Sequence, residues 1–217
     1  MVNVEVAASG NVVASSDNGI IVKYTNAGSQ IFRTTRNFGF GGTRDLALGP
    51  NEEIAAASVN SVSEGTATAL SFYVFRPDGT RLWQDRYYDY HDPQYIGATF
   101  DVLGNVYFTT EHWACDSGVT LAYGAGEGVT CESGSDSALE RSAILVNRYT
   151  PSGALTWSRV INKNRSGVDA SASIAAFSEN EIYLVGKTAN SVNGQKAGGT
   201  DAFIARLDGR GKGAWSR

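Results

Sequence analysis

Apolar positions along this chain come in short bursts that keep no helical period. Val106 to Phe108 and Ile182 to Val185 are apolar at consecutive positions, the pattern of strands covered on both faces, and no ten-residue window repeats at 3.6. Glycine punctuates the bursts on a beat. Aligned backward from Trp215, "RLDGRGKGAWSR" stacks on "RYTPSGALTWSR", "VFRPDGTRLWQD" and "KYTNAGSQIFRT". In each string an apolar residue (Tyr24, Phe75, Tyr149, Leu207) is followed four positions on by Gly28, Gly79, Gly153 or Gly211, and eight positions on by Phe32, Trp83, Trp157 or Trp215. Two extended runs joined through a glycine that supplies positive φ make a β-hairpin.

A second hairpin precedes each of these. "VEVAASGNVVASS", "DLALGPNEEIAAAS", "ATFDVLGNVYFTTE" and "SIAAFSENEIYLVGK" align on Val12, Ile54, Val106 and Ile182. Each unit therefore predicts four antiparallel strands, A to D, with short A–B and C–D turns and a variable B–C connection. Tandem four-stranded sheets stacked face to face are the blades of a β-propeller. The expected fold class is all-β: a propeller of four tandem four-stranded antiparallel blades, either a ring by themselves or part of a larger one. Approximate blade boundaries are 1–39, 40–92, 93–167 and 168–217, with an inserted loop at 111–141.

The string "GGTDAFIARLDGRGKGAWSR", with "FDVLGNVYFTT" as the preceding hairpin, resembles the bacterial β-propeller repeat often called SBBP. The resemblance covers all four units and is weakest in the first, where Phe32 stands for Trp. It implies a propeller in exported or cell-surface bacterial proteins, and this family has no catalytic motif to carry over. In the third unit strand D continues past Trp157 through Val160 and Ile161, whereas the chain ends two residues after Trp215. A shortened last strand is expected, and three arrangements remain open: a fragment of a larger ring, a self-closed four-blade ring, or two chains making eight blades.

Bulk composition narrows the function classes. The chain has 217 residues, 42% of them apolar and 18% charged, with a formal net charge of −4, so a real core is affordable and a basic nucleic-acid footprint is absent. No run approaches the roughly 18 to 20 apolar residues of a membrane helix, and "MVNVEVAASG" has neither a basic nor an apolar leader segment. No cofactor motif appears: "GAGEG" at 124–128 is followed by no Lys.

Antiparallel order puts the A–B and C–D turns on one face of the ring and the B–C and D–A connections on the other. The second face is expected to carry the long segments 58–68, 87–95, 111–141 and 188–200, where binding usually resides. The D–A linker "RYYDYHDPQY" gathers Tyr87, Tyr88, Tyr90, His91 and Tyr95; exposed Tyr clusters suit sugar or protein contacts, although the same rings can simply fill gaps between blades. The insertion adds His112, Trp113 and both cysteines. Cys115 and Cys131 lie 16 positions apart in one Gly-rich loop, the arrangement in which a disulfide removes the most loop entropy for little strain. Zinc held by His112, Cys115 and Cys131, with Glu111 or His91 as fourth ligand, is the alternative, but structural zinc modules usually show a second close pair. The carboxylates Asp116, Glu127, Glu132, Asp136 and Glu140 lack EF-hand spacing, and neither histidine sits in a nucleophile motif.

The expectation is a non-enzymatic binding or scaffold module that takes a glycan or protein partner, with a propeller lyase or glycosidase and a purely structural spacer as rivals. The insertion generates a first prediction. Under oxidising conditions Cys115 and Cys131 are bonded to each other, so mass spectrometry with and without reductant finds a two-proton difference in one peptide pair; stoichiometric zinc surviving dialysis would favour the metal instead.

Overall fold

The computed structural model describes residues 3–35, 42–61, 68–89, 96–113, 120–121, 129–130, 142–161, 169–188 and 199–216. Among these residues the chain forms four four-stranded antiparallel sheets and one two-stranded ribbon, with no helix. Sheet 1 contains β1 (Asn3–Val6), β2 (Val12–Ser15), β3 (Ile20–Tyr24) and β4 (Gln30–Thr35). Sheet 2 contains β5 (Thr43–Leu48), β6 (Ile54–Ser61), β7 (Thr68–Phe75) and β8 (Arg81–Asp89). Next come β9 (Ile96–Phe100) and β10 (Val106–Trp113), the ribbon of β11 (Thr120–Leu121) and β12 (Val129–Thr130), then β13 (Ser142–Tyr149) and β14 (Leu155–Ile161). Of these, β9, β10, β13 and β14 make sheet 3 in that order. Sheet 4 contains β15 (Asp169–Ser178), β16 (Glu181–Thr188), β17 (Asp201–Leu207) and β18 (Gly213–Ser216). The first strands pack in a row, β1 on β5, β5 on β9 and β9 on β15, as the inner strands of propeller blades do.

One turn design closes the hairpins. In the C–D turns of all four sheets, the N–H of the first residue bonds to the carbonyl of the fifth, and the N–H of the fourth bonds back to the first carbonyl: Thr25 to Ser29, Arg76 to Thr80, Thr150 to Ala154 and Asp208 to Lys212. The fourth position is Gly28, Gly79, Gly153 or Gly211, with φ between 71° and 89°, and the ladder shifts by one residue beside each turn. This is the three-residue loop with a left-handed glycine bulge. The A–B turns at Ala7–Asn11, Gly49–Glu53 and Asp101–Asn105 repeat it. The same turn also occurs at Ser16–Ile20 with Gly19 at φ 77°, so the B–C connection of sheet 1 is short. That corrects the expectation that short glycine turns are confined to one end of the sheets.

Packing between the sheets divides into three apolar layers. Val13 and Ile21 meet Leu46, Ile54, Ala56 and Phe75 between sheets 1 and 2. Ala55, Ala57, Phe72 and Val74 meet Ala98, Phe100, Val106, Phe108 and Tyr149 between sheets 2 and 3, where the Phe72 and Phe108 rings stack at 4.2 Å. Tyr107, Ile144, Val146 and Trp157 meet Ile174, Ile182, Leu184, Phe203, Ala205 and Leu207 between sheets 3 and 4. Consecutive β6 residues face opposite layers, which is why Ile54 to Ala57 are all fully buried and why the strands read as unbroken apolar runs. Their small alanines leave room for the aromatic rings of the neighbouring strands.

Polar ties complete the layers. Lys23, almost wholly buried, bonds Glu52 at 2.5 Å across the first junction, and Ser9 and Asn11 donate to the same carboxylate. These partners, Lys23 foremost, hold the Glu52 carboxyl down at about 2. At the third junction Arg148 bonds Glu179 at 3.2 Å and lies over the Tyr107 ring. Asp101 explains the "DVLGNVY" string: it accepts the N–H groups of Leu103 and Asn105 and the side chains of Asn105 and Tyr107. Burial, then the Asp101 charge, pushes the Tyr107 hydroxyl well above its ordinary value.

Aromatic residues of one sheet lie on the C–D glycines of the next. A Cβ on Gly153 would stand 2.6 Å from Trp83, whereas at Gly28 nothing among the described residues lies within 4 Å. Within a single copy of the chain, Gly28→Ala should therefore cost only the backbone strain of a left-handed alanine, about 1 kcal/mol. Gly153→Ala adds a ring clash, so a loss of about 3 kcal/mol is expected. Urea denaturation of the two variants measures the difference, and equal losses would show that the ring contact contributes nothing.

Candidate binding face

The long connections leave from one end of the sheets, and the structure fixes their anchors. β8 runs to Asp89 and pairs Tyr87 with Leu70 and Tyr88 with Ala69. Tyr87 and Tyr88 are thus strand residues, and the connection to sheet 3 begins at Tyr90 rather than at Tyr87 as the sequence suggested. β10 likewise extends through His112 and Trp113, which pair with Ala143 and Ser142, so the insertion starts after Trp113 and not at Glu111. Glu111 itself is buried between sheets 3 and 4, opposite Ile144, and is not a loop group available to a zinc ion. Tyr90, His91, Tyr95, Cys115 and Cys131 lie outside the described residues, as do most of the insertion and its carboxylates.

The anchors of the two segments are adjacent. Ile96, where the Tyr-rich connection enters sheet 3, pairs with Thr110, and Trp113 lies three residues further along that strand at the same end. Strand pairing therefore brings the exit of one segment beside the start of the other. Among the described residues no group of three or more His, Cys, Asp or Glu side chains could hold a metal ion.

The first strands carry chemistry that the sequence reading missed. Asp45, next to the register shift that opens β5, reaches across to sheet 3, where its Oδ2 accepts the Ala98 N–H at 2.7 Å. Burial pushes the carboxyl up to about 6, against the Ala98 and Leu46 hydrogen bonds and with help from the Glu5 charge. Burial also raises Glu5. An elevated carboxyl on an inner strand is a feature that acid–base catalysis uses, but this one is committed to a backbone donor and ties two sheets. Its sequence signal was a lone Asp in "TRDLALG", between apolar neighbours.

No protein-family model matches the sequence, and no curated protein matches it. Among solved structures, two single-residue variants of the Synechocystis apocarotenoid oxygenase align at 10% and 11% identity with TM-scores of 0.47 and 0.48. A chimera of that oxygenase with RPE65 aligns at 10% identity and a TM-score of 0.47. Each alignment covers 95% of this chain and 45% of the other, so the chain spans under half the length of those proteins. At these values the likeness assigns neither family nor activity. The resemblance to the bacterial repeat stands on the quoted strings alone.

Asp45 generates a pH prediction with a definite sign. Its folded value of about 6 lies above the ordinary 3.8, so its contribution to stability is fully present below about pH 4 and is lost as pH rises through 6. Two pKa units correspond to a loss on the order of 2 kcal/mol. Asp45→Asn keeps a carbonyl acceptor for Ala98 and removes the titration. Denaturation between pH 4 and 7 should show the wild type declining relative to the variant; parallel curves would rule the effect out.

Proposed function

We propose that the chain is a β-propeller segment that serves as a non-enzymatic binding or scaffold module of an exported or cell-surface protein, with its partner docking at the long-connection end. The observation that carries this reading is the asymmetry between the two ends of the sheets. One end is closed by compact turns, five residues long except for the shorter Ser178–Glu181 turn of sheet 4, and tied from sheet to sheet by Trp83 and Trp157 bonds to the Pro151 and Gly209 carbonyls. The other end holds nearly all the variable segments on rigid strand anchors, which is where binding residues concentrate.

The chemistry of that end suits a glycan or a protein loop. Tyr88, Tyr90 and Trp113 supply rings for stacking, and His91, His112 and the insertion carboxylates add polar specificity. Tyr87 and Tyr95 flank the same connection. The commitment of Asp45 to Ala98 weighs against the rival lyase or glycosidase reading, which needs carboxylates free to reach a substrate. The exported setting rests on the repeat resemblance.

A glycan array and a protein-partner screen test the proposal, followed by alanine replacement at Tyr90 and Trp113. Affinity for any ligand found should fall by at least about tenfold in each variant, as for aromatic anchors of an interface, while Ser152→Ala and Arg210→Ala in the turns leave it unchanged. The reverse pattern would place the functional face at the turn end.

A further inference from the structure

Every internal junction between sheets has a donor half and an acceptor half. The donor is the aromatic residue of the fourth strand: Phe32 opposite Lys23, Trp83 opposite Val74, Trp157 opposite Arg148. The acceptor is the left-handed glycine in the C–D turn of the following sheet. A Cβ would meet Phe32 at 2.7 Å on Gly79, Trp83 at 2.6 Å on Gly153 and Trp157 at 2.9 Å on Gly211. Trp83 and Trp157 also donate their ring N–H to the carbonyl two residues before that glycine, at 3.1 and 2.9 Å.

Both halves recur in register at the two ends of the row. Trp215 holds the donor register in sheet 4, opposite Arg206. Gly28 in sheet 1 has the acceptor conformation, φ 82°, with nothing among the described residues within 4 Å of a Cβ built there. The Asn26 carbonyl occupies the position of the Pro151 and Gly209 acceptors.

The sheet faces around them tell the same story residue by residue. On sheet 1, Val4 and Val6 are 61% and 64% exposed, and Tyr24 is 36% exposed. The residues in the Val4 register elsewhere, Leu46, Ala98 and Ile174, are buried, as are Phe75, Tyr149 and Leu207 in the Tyr24 register. On sheet 4, Ile204 and Val185 are 38% and 37% exposed. Their counterparts Ile21, Phe72 and Val146, and Ser15, Ala57 and Thr109, are buried. Phe177 adds a ring that is 69% exposed. The row does not close on itself: among the described residues β15 and β1 lack the packing that joins β1 to β5, β5 to β9 and β9 to β15.

The geometry points to a second copy of this chain as the occupant of both faces. Sheet 4 of one copy stacks on sheet 1 of the other, which sets the Trp215 register position against the Gly28 turn, and the reciprocal junction closes a two-chain ring. The inference rests on the propeller reading above and not on any ligand at the long-connection end. A four-stranded face of five-residue strands measures about 20 Å by 17 Å. Two such junctions bury roughly 1,300 Å² over all four faces, which reaches the size of a stable interface. Eight blades lie within the range of about four to eight that propellers adopt. Each junction joins unlike faces, sheet 4 of one copy to sheet 1 of the other, and the two-fold axis of the pair relates the two junctions, so the interface as a whole is isologous.

Sedimentation equilibrium of the whole chain tests this. Wild type should show twice the 23.1 kDa of one chain. Val6→Glu breaks the sheet 1 face and Ile204→Glu breaks the sheet 4 face, so each variant alone should be a monomer with the wild-type β circular dichroism. An equimolar mixture should regain dimer in part, because the intact sheet 4 of the first variant meets the intact sheet 1 of the second. Phe177→Glu, at a more exposed position, replaces Ile204→Glu if that variant fails to fold. Loss of ligand binding with the dimer intact would count against the binding-face reading alone. A wild-type monomer at every concentration, a dimer indifferent to both faces, growth to open polymers, or no recovery in the mixture would overturn the two-chain ring.

Discussion

The fold depends on an aromatic ring packed against a residue that has no side chain. Phe32, Trp83 and Trp157 each cover a glycine of the neighbouring sheet, and that glycine is present because its turn demands positive φ. Local backbone geometry and long-range packing therefore impose the same residue at the same place. A sheet with this turn is automatically a sheet with a seat for its neighbour's ring. Around that contact the apolar layers differ freely, Ala-rich in sheet 2 and aromatic in sheet 3, without changing how the sheets stack.

Where the turn rule is broken, electrostatics accounts for it. Glu52 occupies the glycine position of its A–B turn with φ 63°, a conformation that costs a non-glycine residue about 1 kcal/mol or more. Its carboxylate reaches the buried Lys23 ammonium from there, with Ser9 and Asn11 completing its bonds. A buried cation without a partner would be the larger penalty. Sheet 3 solves the related problem with a different chain of groups, from Asp101 through Tyr107 to Arg148 and Glu179.

The sheets were legible in the sequence because their signals are local. Four- and eight-residue spacings between Tyr24, Gly28 and Phe32, and their equivalents, report a turn and its ring without reference to anything distant. Strand ends were less legible: Tyr87, Tyr88, His112 and Trp113 looked like loop chemistry, yet each has a ladder partner supplied by a strand elsewhere in the chain. Nothing in "IIVKY" marks Lys23 as a core residue, since its burial depends on Glu52, 29 positions away. Asp45 was passed over for the same reason, because its partner is the Ala98 backbone in another sheet. Tyr90, His91, Tyr95, Cys115 and Cys131, outside the described residues, are candidates on the sequence alone.

The row of first strands has a consequence for how the molecule comes apart. Among the described residues each sheet is a meander of adjacent strands packed on the sheets before and after it, so stability is distributed as in a one-dimensional array of coupled units. Within one copy of the chain, sheets 2 and 3 are held on both faces, while sheets 1 and 4 are held on one. In a copy separated from its partner, opening should then spread inward from the two ends, and backbone amides of β6 and β10 should exchange with solvent only through the rarest fluctuations. Such a molecule has a rigid middle and yielding ends, a gradient set by neighbour count and not by the sequence of any one sheet.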